Sequence, residues 1–328
     1  MDAASEASSL SPFGATLLDL PTERSHLMSH PEQTRPLPSA IEAAVSLLAD
    51  ADPRVVAACR EQVLRWGAAA LPVLRRAAKE ADPRLRVRSR SLLRTLFLRD
   101  WLDRVRRFSR VAVIEAAQRR ATPGLLERGL LLLAEVGFLG DADCAGESPV
   151  VLAAAERDAE ELRLRVRGRT AASSARALGQ LLARERGWSA EGVSYYELGG
   201  VVLDTAVDRR RAVPLVLALW YVIVGRRAGL RVAPVELPDH WLVRVHGARP
   251  VLVDPGHDGT SLTKGDCIRH LRTRGYVGAA SSQLADVDDG ETLQAYVDSL
   301  ARVFGYREDG EVLRALHQAG EALAPLVH

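Results

Sequence analysis

The residues with the most chemistry in them lie between positions 195 and 265. His240 falls in Leu237-Pro238-Asp239-His240-Trp241, and Asp254 in Val251-Leu252-Val253-Asp254-Pro255, with His246-Gly247-Ala248 as a turn between them. A hairpin centred on Gly247 sets His240 directly opposite Asp254. Cross-strand partners on one face have Cβ atoms about 4.5–5.5 Å apart, so the carboxylate can hold one imidazole N–H and leave the other ring nitrogen as a base. Such a pair serves a nucleophile. The first turn of the helix that Pro214 opens could hold one, because the helix dipole there favours a thiolate. That turn reads Pro214-Leu215-Val216-Leu217, and no Ser, Thr, Cys or Lys occurs between Thr205 and Thr260. The sequence therefore predicts a His–Asp pair facing Val216, with Tyr196, Pro214, Asp239 and Trp241 as the candidate pocket around it.

Other reactive residues are weaker candidates. Cys267, in Gly265-Asp266-Cys267-Ile268 with His270 three residues on, is a displaced thiol near the opening of a helix. A lone cysteine beside an apolar run is more often a small buried residue. His257 with Asp258, and Asp266, lie in a glycine-rich stretch without the spacing of a metal site, so a solvated turn is expected and neither metal nor cofactor is called for. Between Arg84 and Arg120 stand twelve arginines against Asp100, Asp103 and Glu115, and Arg86, Arg90 and Arg94 recur at i, i+4. A stripe of that kind could track nucleic-acid phosphates. Against it, no aromatic interleaving accompanies the stripe, and an arginine-biased composition (Lys79 and Lys264 are the only lysines) explains it equally well.

These residues must be positioned by a framework of helices. Residues 1–38 hold five prolines and no sustained periodicity, which predicts a disordered leader. From 39 to 108 the pattern is helical and repeats: Ala51-Asp52-Pro53-Arg54 returns as Ala81-Asp82-Pro83-Arg84. In each copy Asp can cap a helix and Pro can occupy its first position. Helix pairs at this spacing resemble short HEAT-type repeats. Helices continue over 109–187, and strands are expected at 230–237, 241–246 and 251–254. Two helices, 291–304 and 308–323, close the chain. Helices, a small antiparallel sheet, then helices again make an α+β layout.

Composition sets the outer limits. The 328 residues are 47% hydrophobic and 26% charged with a net charge of +2, as a folded globular chain requires. No apolar run has the length of a membrane span, and the first residues lack the pattern of a signal peptide. Three cysteines, Cys59, Cys144 and Cys267, form no CxxC pair, which points to a reducing compartment and so to the cytoplasm.

The central motifs carry a family resemblance. Helix start, then His strand, then Asp strand is the papain-type order. Tyr195-Tyr196-Glu197-Leu198, Val207-Asp208-Arg209-Arg210-Arg211-Ala212-Val213-Pro214-Leu215-Val216-Leu217, Leu237-Pro238-Asp239-His240-Trp241-Leu242-Val243-Arg244 and Val253-Asp254-Pro255 resemble the SirB-type transglutaminase-like proteins. That branch already lacks the cysteine. Here Ala212 stands for its Gly, Val216 for its Ser and Asp239 for the Gly before the His. The resemblance extends over roughly 110–328. It implies a transglutaminase-like domain over 109–285 and a tetratricopeptide-like helix pair over 286–328. The function expected on this basis is that of a catalytically inactive, cytoplasmic protein-binding or scaffold module with a protein partner and no membrane attachment. The alternatives are a cysteine-type hydrolase or acyl-transferase using Cys267, and nucleic-acid binding through the arginine stripe.

Overall fold

The structure, a computed structural model, describes residues 36–118, 124–138, 149–238, 240–273, 276 and 284–327. Most of the expected leader, and Asp239 and Cys144 with it, lie outside these. The first four helices are α1 (Pro38–Ser46), α2 (Pro53–Trp66), α3 (Leu71–Ala77) and α4 (Pro83–Ala117). Both copies of the sequence repeat start helices as expected. The Asp52 carboxylate accepts the Arg54 N–H at 2.8 Å and the Asp82 carboxylate the Arg84 N–H at 2.7 Å, with proline in the first turn each time. Ile41, Val45, Leu48, Val63, Leu74, Leu92 and Leu96 form the core of this region.

Helix α4 is one uninterrupted helix of 35 residues and passes through position 108, where the sequence suggests a boundary. Its two halves belong to different cores. Leu92, Leu93 and Leu96 pack with α1 to α3, whereas Leu98, Trp101, Leu102 and Val105 enter the main core. Trp101 is fully buried there, and its indole N–H donates to the Leu132 carbonyl at 2.8 Å.

The main core gathers α5 (Leu125–Ala134), α6 (Pro149–Val166), α7 (Ala171–Gly179, prolonged by a π-helical turn, Gln180–Glu185), two short helices α8 (Leu198–Val201) and α9 (Leu203–Arg209), and α10 (Pro214–Arg227). Helices α8 and α9 are too short for the sequence pattern to mark them. Every residue of α10 from Leu215 to Gly225 is buried, as a helix apolar on all sides must be.

Strands β1 (Val232–Leu237), β2 (His240–Val245), β3 (Val251–Asp254) and β4 (Thr260–Leu262) form an antiparallel meander in the order β1-β2-β3-β4. Both faces are covered. Trp241, Val243, Val245 and Val253 point into the main core with α7 and α10. Val235, Leu237, Leu242 and Leu252 pack instead under α11 (Lys264–Thr273), with Cys267, Leu271 and Leu284.

The chain closes with α12 (Asp289–Tyr306) and α13 (Gly310–Leu323), the expected helix pair. A capping box between Asp288 and Glu291 opens α12. The pair is part of the main core: Leu293, Tyr296, Leu300, Leu316 and Leu323 pack with Leu126 and Leu130. Helix α13 also lies along α4, where Ser109 Oγ donates to the Ala322 carbonyl at 2.6 Å and Arg94 pairs with Asp309.

Candidate functional site

His240 is the first residue of β2 after the tight turn at Pro238, and Asp254 is the last of β3. His240 Nε2 lies 2.9 Å from Asp254 Oδ1. The hairpin register differs from the expected one, however. Val243 pairs with Val253, Arg244 with Leu252 and Val245 with Val251, which centres the turn on Ala248 rather than Gly247. The offset moves each partner by two residues. Side chains alternate with period two, so His240 and Asp254 still share a face and meet diagonally.

A third residue completes the group. Asp254-Pro255-Gly256-His257 is a turn in which the His257 N–H donates to the Asp254 carbonyl at 3.3 Å and to its carboxylate at 3.2 Å. The turn brings His257 Nδ1 to 2.8 Å from Asp254 Oδ2. One carboxylate thus serves two imidazoles, an oxygen to each. Burial pushes the Asp254 carboxyl up, but the hydrogen bonds and charges of His240 and His257 together outweigh it and hold the group below the usual carboxylate range. Asp254 is therefore ionised at neutral pH. The solvated turn expected at His257 does not include this contact. Its one signal in the sequence is the Asp-Pro-Gly-His run, which returns the fourth side chain to the first.

The loop that carries His257 is held by backbone. Gly259, at φ +64°, lies against Gly179 at the end of α7, and a Cβ on Gly179 would stand 2.1 Å from the Gly259 carbonyl oxygen. Asp258 beside it has φ +52°, in the left-handed region that aspartate enters more readily than most non-glycine residues.

His240, Asp254 and His257 open on a cavity of ≈ 370 Å³ between the sheet and α11, lined also by Leu237, Leu242, Thr260 and Cys267. Val216 is not among its walls. It is fully buried in the main core with Trp241 and Val253, on the opposite face of the sheet from His240. The expected pair facing Val216 is thus corrected: strand alternation turns His240 away from α10. The candidate pocket residues do not gather around the pair. Trp241 points into the main core, Pro214 opens α10, and half-exposed Tyr196 rests its ring against Tyr306 at 4.9 Å. Asp239 lies outside the described residues.

Cys267, by contrast, shares the cavity with His240. Thr263 and Asp266 cap α11 reciprocally: the Thr263 N–H donates to Asp266 Oδ2 at 2.9 Å and the Asp266 N–H to Thr263 Oγ1 at 3.2 Å. The thiol itself is buried, and burial together with the charges of Asp266 and Asp254 pushes it up to about 11. A thiol with that pKa is protonated at pH 8, and the thiolate is the nucleophile. Iodoacetamide should therefore modify Cys267 at least ~100-fold more slowly than a free cysteine of pKa about 8.5, with the rate climbing toward pH 11. Peptide mapping after timed labelling checks this; rapid native labelling of Cys267 would contradict it. The side chain of His270 lies outside the described ones.

Part of the arginine stripe is engaged within the fold. Arg94 pairs with Asp309 and Glu311, Arg104 with Asp100 and Glu135, and Arg106 with Asp103. Arg86 and Arg88 donate to the Glu80 and Asp50 carbonyls at 2.9 and 3.0 Å. Arg119 and Arg120 lie outside the described residues.

Residues 150–297 match the model of the transglutaminase-like superfamily. That stretch, from α6 into α12 and including the sheet and cavity, is a transglutaminase-like domain. No curated protein and no solved structure matches the chain. No helix of the described residues is long and apolar enough to cross a membrane.

Proposed function

We propose that the chain is a catalytically inactive protein of the SirB-type branch, working in the cytoplasm as a protein-binding or scaffold module. The observation that carries this reading is that His240 and Asp254 face away from α10, whose first turn holds the aliphatic Val216 closed into the core, so no side chain of that turn meets the pair as a nucleophile. Helices flank the domain in sequence, HEAT-like over α1 to α4 and tetratricopeptide-like over α12 and α13, and their outward faces are the ones offered to a partner. The cysteines Cys59 and Cys267 are free, in keeping with a reducing compartment. Nucleic-acid binding is less favoured, since several arginines of the stripe are committed to carboxylates within the fold.

A second reading, the thiol hydrolase or acyl-transferase, rests on Cys267 and His240 lining one cavity. One assay separates the two. The purified chain, given small ester and amide acyl donors and a primary amine acceptor, should turn over no faster than buffer. Val216→Cys should not change that, because its thiol would lie across the sheet from His240. Turnover abolished by Cys267→Ala would replace the scaffold reading with the thiol enzyme.

A further inference from the structure

The cluster at the mouth of the cavity has the composition of a metal centre. Among the described residues, His240, Asp254 and His257 are a group whose donor atoms all lie within 4.8 Å of one another. The two nitrogen-to-oxygen separations are 2.9 and 2.8 Å. Ligands about 2.0–2.2 Å from a zinc-type ion stand roughly 3–3.4 Å apart on neighbouring positions. The 2.9 Å separation is to Asp254 Oδ1 and the 2.8 Å one to Oδ2, so each ring already sits at ligand spacing from one oxygen of the carboxylate. The rings come from different elements, His240 from the start of β2 and His257 from the β3–β4 loop, and meet edge to face at 5.5 Å.

A turn held only by its own hydrogen bonds would account for His257 but not for His240. Nor would it account for a carboxylate, only 8% exposed, that spends both oxygens on imidazoles. The β3–β4 loop is fixed from outside by the contact between Gly259 and Gly179, with Asp258 in a left-handed conformation. The histidine side chain it presents is 73% exposed and therefore accessible to an incoming ion.

We propose that His240 Nε2, an Asp254 carboxylate oxygen and His257 Nδ1 bind one divalent transition-metal ion, with the remaining coordination positions opening on the cavity. Binding moves each ring proton to the other nitrogen of its imidazole, and the metal takes the place of the two N–H donors at the carboxylate. Two imidazoles and one carboxylate suit Zn²⁺ or Fe²⁺ and disfavour Mg²⁺ and Ca²⁺, which prefer oxygen. Three protein ligands leave room for water or for a ligand group reaching in from the cavity. The site goes beyond the scaffold reading and does not depend on it, since an inactive domain can hold an ion.

The test is a competitive titration of the full chain, stripped of metal, with Zn²⁺ against a chromophoric chelator. One equivalent of Zn²⁺ should bind, and Mg²⁺ or Ca²⁺ at the same concentration should not displace it. His257→Ala removes an exposed side chain without opening the core. It should weaken that equivalent at least tenfold, as should Asp254→Asn, while His317→Ala on the exposed face of α13 should leave it unchanged. Zn²⁺ should raise the melting temperature of the parent chain and not that of His257→Ala. Absence of a bound equivalent, or its full retention in both site variants, would overturn the proposal.

Discussion

Gly179→Ala should destabilise the protein by about 3 kcal/mol and lower its melting temperature by roughly 6–10 °C. The substitution is favourable on helix propensity alone, since alanine is better than glycine in a helix by about 0.5–1 kcal/mol. The contact decides the sign. An added Cβ would stand 2.1 Å from the Gly259 carbonyl oxygen and 2.9 Å from its carbonyl carbon. Both are backbone, so no side chain can rotate away, and either α7 or the β3–β4 loop must move. Gly259→Ala meets the same wall from the other side, with a Cβ 2.4 Å from the Gly179 Cα and the added strain of φ +64°. Thermal denaturation followed by circular dichroism reads the effect. A melting temperature for Gly179→Ala within a degree of the parent would mean that the two backbones are not in contact.

Trp101→Ala should cost about 3–5 kcal/mol, the usual range for deleting a fully buried aromatic residue. Trp101 is 0% exposed and stands on α4 just past the point where that helix leaves the first core and enters the second. Most of the loss is unfilled volume, and Trp101→Phe should restore much of it. What phenylalanine cannot restore is the 2.8 Å hydrogen bond to the Leu132 carbonyl, a net contribution of about 1 kcal/mol. Urea denaturation of the two variants separates these parts. A loss below 1 kcal/mol for Trp101→Ala would show that the cavity collapses or that the site is not packed as described.

Local signals in the sequence suffice for most elements. Asp-Pro at positions 52–53 and 82–83 marks two helix starts, and Pro214 with Gly229 brackets α10. The alternation around His240 and Asp254 puts them on one face even though the turn centre lies a residue further on, because an offset of two in pairing preserves side-chain parity. Which face that is cannot be read from the chain. Trp241, Val243 and Val245 are apolar, and so are Val235, Leu237 and Leu242 on the other side. A sheet buried on both faces has no polar stripe to say which set meets α10. The strand β4 is hidden for a related reason: Thr260–Leu262 is three residues long, too short for any periodicity to show. The close approach of Gly179 to Gly259 joins two distant parts of the chain, and each glycine alone reads only as a flexible point.

Helix α4 contains neither glycine nor proline after Pro83, the residues at which helices most often bend. At 1.5 Å per residue its 35 residues form a rod about 50 Å long. One end is seated in the core of the first three helices and the other in the core that carries the sheet. A rod embedded at both ends acts as a spacer of fixed length and fixed rotation. A partner gripping the first helices would therefore stand at a set distance and azimuth from the mouth of the cavity, and a torque applied at one end would arrive at the other.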